Sequence, residues 1–74
     1  MDIYEHTQNV SSKYGFIEFL KLLKKSLEEK PEDWENNDLT SFIEGLLGYS
    51  VDRTHEVPSW KVFSEILLAA RVYE

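Results

Sequence analysis

The sequence predicts an all-α fold: a small bundle of three helices, with a short fourth one at the N-terminus. Three observations carry this. Apolar residues recur every three or four positions in three separate segments. Each of those segments is preceded by a Ser or Asp suited to cap a helix. No stretch alternates with period two as a strand does, and no internal repeat occurs. With 74 residues the chain has room for one domain, 1–74.

Taken in chain order, DIYEHTQNV starts after Asp2 and aligns Ile3, Thr7 and Val10 as a short helix. SSKYGFIEFLKLLKKSLEEKP follows, with Phe16, Phe19, Leu20, Leu23 and Leu27 within an arc of about 100°. Ser12 is its N-cap, and Lys30 before Pro31 ends it, because a residue preceding proline avoids the helical region. PEDWENND is a polar turn carrying one tryptophan. Asp38 then caps LTSFIEGLLGYSVD, whose Leu39, Phe42, Ile43, Leu46, Leu47 and Tyr49 cover more than half of the wheel. A helix apolar over that much of its girth has neighbours on two sides, so the centre of the bundle is expected here. Gly45 and Gly48 on its flank signal either a closely approaching backbone or loose packing.

RTHEVP connects to the last helix, capped by Ser59. Its main stripe is Trp60, Phe63, Ile66, Leu67, Ala70 and Tyr73, too long and too aromatic to stay wet. Lys61, Ser64, Glu65 and Arg71 occupy the other side. Leu68 and Val72 form a second, minor stripe among them, available to a partner or to a second copy of the chain.

Four segments resemble a family of short, acidic bacterial proteins classed as a domain of unknown function. They are F-I-E-F-L at 16–20, E-x-x-P-E-x-W-E at 28–35, P-S-W-K-V-F at 58–63 and A-A-x-x-Y-E at 69–74. The resemblance implies a helical fold and a bacterial origin, and it carries no activity. Relatives have a longer acidic or aromatic insert near 50–57, where this chain is short.

Composition narrows the function. There is no cysteine, which excludes disulfides and Cys-based zinc sites, so the core has to be built from apolar packing. Eight Lys and Arg against 14 Asp and Glu give a net charge of −6, the wrong sign for phosphate backbones, and no direct nucleic-acid contact is expected. No secretory leader and no membrane-length apolar run is visible, so a soluble, cytoplasmic protein is expected. His6 and His55 lack the paired spacing of a metal site; His55, Glu56 and Asp52 read as a solvated loop. No cofactor is implied. Ser12 and Ser59 read as caps, no serine has a matching base, and no glycine-rich phosphate loop is present. No enzyme is expected.

What remains is binding. Glu28, Glu29, Glu32, Asp33, Glu35 and Asp38 crowd one helix end and its turn, with Trp34 among them. The plainer reading is a solvated turn whose Trp folds back over the core. The functional one is an acidic surface with an aromatic anchor that steers in a basic protein partner. The sequence thus reads as a small protein-binding module, monomeric or homodimeric. One alternative is a homodimer joined along Leu68 and Val72. Another is a toxin-neutralising, immunity-type inhibitor, although the Tyr-Tyr-Pro segment of such proteins is absent. A DNA mimic is a third, poorly matched by acids confined to a single turn.

Overall fold

The computed structural model describes residues 2–53 and 57–73. Its helices are α1 (Ile3–Gln8), α2 (Lys13–Glu29), α3 (Leu39–Asp52) and α4 (Trp60–Ala70), with a 3-10 turn at Pro31–Asp33. No strand occurs among the described residues, and the all-α expectation holds.

The caps are those the sequence marks. Ser12 Oγ accepts from the Gly15 amide at 3.2 Å, Asp38 Oδ2 from Ser41 at 3.0 Å, and Ser59 Oγ from Val62 at 3.0 Å. Asp2 does the same for α1, accepting from Tyr4 at 3.1 Å. Each satisfies one of the amides that a helix start leaves without a partner. At the end of α2 the Lys30 amide still bonds Ser26 O at 2.9 Å before Pro31 begins the 3-10 turn.

The core is small. Val10, Phe19, Leu23, Trp34 and Leu68 make up its buried centre, and Ile3, Phe16, Phe42 and Leu67 pack around it half-buried. α1 lies along one flank of α2, where Ile3 and Tyr4 line a shared recess with Leu22 and Ser26. His6 ties the two helices, its Nε2 donating to Gly15 O at 3.0 Å.

The centre is α4, not α3 as the apolar breadth suggests. α4 packs against α1, α2 and α3, whereas α3 has α4 as its one helical neighbour among the described residues. The reason lies in small side chains. Ser64 and Ala70 are fully buried, and the Ser64 hydroxyl satisfies itself on Trp60 O at 2.9 Å. Gly45 is the counterpart on α3. A Cβ there would lie 2.6 Å from Ala70 O and 3.1 Å from Tyr73 O, so of the two readings of this glycine, close backbone approach is correct. Replacing Gly45 with Ala is expected to lower stability despite a helix-propensity gain of up to ~1 kcal/mol. Overpacking against backbone costs about 1–3 kcal/mol. A melting temperature equal to or above that of the unchanged chain would contradict the tight α3–α4 contact.

Centring the fold on α4 changes which of its residues are buried. Ser64, Leu68 and Arg71, all on its expected polar side, are buried, while Trp60 and Phe63 of its main stripe are partly open.

Candidate functional site

Two regions compete: the acidic turn and an uncovered apolar face. The turn is built around Trp34, which is 7% exposed. Its indole Nε1 donates to Ser26 Oγ at 3.0 Å, and its ring stacks on Phe42 with centroids 5.7 Å apart. The Arg71 guanidinium lies 5.9 Å from the Trp34 ring centroid and 5.6 Å from that of Tyr4. Arg71 is 4% exposed; its Nη2 donates to Tyr4 Oη at 2.9 Å and its Nε to Leu68 O at 3.0 Å. Asn36 closes the end of α4, its Nδ2 donating to Ala70 O at 2.9 Å and Tyr73 O at 2.8 Å. Trp34 therefore joins the ends of α2 and α4 to the start of α3. It is not a surface anchor.

The carboxylates around it stay in water. Glu28, Glu29, Glu32, Asp33, Glu35 and Asp38 are all exposed. Lys25 Nζ lies 3.9 Å from Glu29, a solvated pair that contributes little. Asp38 is engaged as the α3 cap, and the hydrogen bond from the Ser41 amide holds its carboxyl below the usual carboxylate range. The turn presents charge without an apolar centre.

Beside it, between α1 and α2, is a recess of about 550 Å³ into which Arg71, Lys25 and Lys30 bring positive charge. Asp2, Glu29 and Asp33 line the same recess, so its signs balance and it has no net pull on an anion. Among the described residues no group of His, Asp or Glu is placed to hold a metal ion. The expected solvated loop at His55 and Glu56 lies outside the described residues.

In the Leu68–Val72 seam the two residues line one shallow recess with Tyr4, Thr7 and Tyr49, but they differ in burial. Leu68 is 9% exposed and belongs to the core, because α1 and α2 cover that side of α4; Val72 alone remains open, at 43%.

The apolar surface lies elsewhere. Leu39, Ile43, Leu47 and Val51 follow one another at four-residue intervals, one turn apart along the outer face of α3. They are 77%, 50%, 65% and 72% exposed. Glu44 is the one acidic residue between them in sequence, at the margin of this ridge. Leu20 and Leu27 of α2, seven residues apart, are also partly open. Trp60 and Phe63 lie at the start of α4, and the Trp60 ring meets Phe16 with centroids 5.3 Å apart.

The chain measures 29 × 28 × 16 Å, and its radius of gyration of 11.9 Å is close to that of a compact domain of this length. Its accessible surface is 5275 Å². That is more than surface scaling gives for a compact monomer of 8.7 kDa. The sequence did hold a signal for the α3 ridge, in the breadth of its apolar arc, but that breadth reads equally well as a second buried neighbour.

No helix among the described residues is long and apolar enough to cross a membrane. Comparison of the chain with curated proteins and with solved structures finds no significant match. A family model does match, over residues 12–74, all of the chain but its first helix and the link that follows. Its span takes in every segment that builds the acidic turn and the apolar ridge, and the chain belongs to the Family of unknown function (DUF7660).

Proposed function

We propose that this chain acts by binding protein, and that its contact surface is the outer face of α3. The observation that carries the reading is the ridge of Leu39, Ile43, Leu47 and Val51, left in water in a chain with few apolar residues to spare. A contiguous apolar strip bordered by polar residues is the usual make-up of a contact surface. The acidic turn takes a supporting part. With Trp34 buried it supplies field and no anchor, so it steers a partner carrying positive charge near its contact rather than holding one.

The ridge predicts a clear loss on substitution. Leu47→Asp together with Val51→Asp places two charges on residues that face solvent, so the fold is expected to remain, with unchanged helical circular dichroism. Proteins retained by the unchanged chain from its host's lysate, its own untagged copies included, are expected to be lost by the variant. Equal retention by both would overturn the reading.

A further inference from the structure

We propose that the groove between α1 and α3 binds a small carboxylic acid with an apolar body, and that Arg71 receives the carboxylate. This site is separate from the α3 ridge and does not depend on it.

The groove follows from the packing. α1 and α3 both lie against α4 and, among the described residues, do not pack on each other, so a strip of α4 is left as a floor between them. Leu68, Ala69 and Val72 form that floor, and Tyr4 and Tyr49 line it from the helices on either side. The recess holds about 310 Å³, at the lower end of ligand pockets, which run from about 300 to 1000 Å³. Both tyrosines are already fixed. Arg71 Nη2 donates to Tyr4 Oη at 2.9 Å, and Arg53 Nη1 donates to Tyr49 Oη at 3.0 Å. Walls held in this way lose little freedom when a ligand arrives.

Charge selects the ligand. Two charged residues line the groove, Glu65 and Arg71. Glu65 is already matched, its Oε1 3.0 Å from Arg53 Nη2. Arg71 is 4% exposed and, among the described residues, belongs to no ion pair. Its Nε and Nη2 donate to the uncharged oxygens of Leu68 and Tyr4, and Nη1 has no acceptor among the described residues. A cation this deeply buried ordinarily has an anion beside it. A carboxylate supplies one, and its plane matches the guanidinium fork. The aliphatic floor then takes the body of the ligand out of water. Free phosphate has no apolar body to place there.

The test titrates phenylacetate into the isotope-labelled chain, with phenylacetamide as its uncharged counterpart. Phenylacetate is expected to give saturable NMR shifts at Tyr4, Tyr49, Ala69 and Val72, half-complete at about millimolar concentration, the strength a ligand of this size supports. Phenylacetamide is expected to bind at least roughly tenfold more weakly, because it lacks the charge that Arg71 meets. Arg71→Ala removes the receiving group but also frees α1, so Val72→Glu serves as the second variant. Val72 is exposed, and the fold is expected to be kept, with unchanged helical circular dichroism. The added carboxylate competes for Arg71 at the rim of the groove, and phenylacetate is expected to bind at least roughly tenfold more weakly. No saturation by roughly tens of millimolar would overturn the proposal. So would equal binding of the amide, indifference to Val72→Glu, or shifts centred on Lys25 and Lys30 in the recess between α1 and α2.

Discussion

Replacing Trp34 with alanine is expected to remove about half of the chain's stability. Truncating a buried Trp costs about 3–5 kcal/mol, from lost burial and the cavity it leaves. A chain of this length has roughly 4–11 kcal/mol in total. The loss is concentrated at one junction, since Trp34 contacts Phe42 of α3, bonds Ser26 of α2 and lies beneath Arg71 past the end of α4. Trp34→Phe is expected to be much milder. It keeps a ring against Phe42 and gives up the Nε1 bond to Ser26, a net contribution of about 1 kcal/mol. Denaturant melts of the two variants separate a packing role from a surface role. If Trp34→Ala melts like the unchanged chain, Trp34 is not part of the core. Glu28→Lys and Glu32→Lys, a few residues away, are expected to leave the midpoint almost unmoved, because both side chains are exposed.

The second large effect is at Arg71. Arg71→Ala removes the hydrogen bonds to Tyr4 Oη and Leu68 O and the guanidinium between two rings. Charge-assisted hydrogen bonds contribute about 1.5–3 kcal/mol, and the stem of a buried arginine also packs. A loss of about 2–4 kcal/mol is expected from the two together. α1 is expected to be released first, because Tyr4 is the α1 residue that Arg71 binds. Arg71→Lys is not a rescue: an ammonium keeps the charge but lacks the planar face and the two-directional donors. Hydrogen exchange locates the effect. Faster exchange confined to α3 would contradict the assignment, because the Arg71 side chain bonds to α1 and α4.

The contrast between Arg71 and Ser12 indicates what is legible in a sequence. Caps and stops are local: Ser12, Asp38 and Ser59 act within three residues, and Pro31 acts on Lys30 next to it. Their chemistry is written beside the structure it produces, so the helices fall where the sequence places them. Arg71 lies on the polar side of α4 by periodicity and is nevertheless buried. Its burial depends on Tyr4, 67 positions away, and on Trp34, both of which meet it only in the folded chain.

The same distinction explains the two site assignments. The acids of the 28–38 turn are exposed as charge alone suggests, but a composition count cannot tell an anchoring Trp from a folded-back one. That depended on Ser26, in the last turn of α2, being placed to accept the indole N–H. For α3, periodicity reports an apolar arc wider than one neighbour needs and is silent on whether a second neighbour exists. Gly45 meeting the carbonyls of Ala70 and Tyr73 gives α4 the central place, and the rest of the α3 arc then faces out. Leu68 shows the converse, one residue of a minor stripe covered because α4 is surrounded, while Val72 of the same stripe stays open.

Methyl NMR with a soluble paramagnetic probe measures, residue by residue, what covers Leu39, Ile43, Leu47 and Val51. In the free chain their methyls are expected to broaden strongly, and with a protein retained from the host's lysate bound they are expected to be shielded from the probe. Leu68 should stay shielded and Val72 exposed in both states. If the four α3 methyls are equally accessible in both states while Leu68 remains shielded, the fold stands and the α3 ridge is not the contact surface.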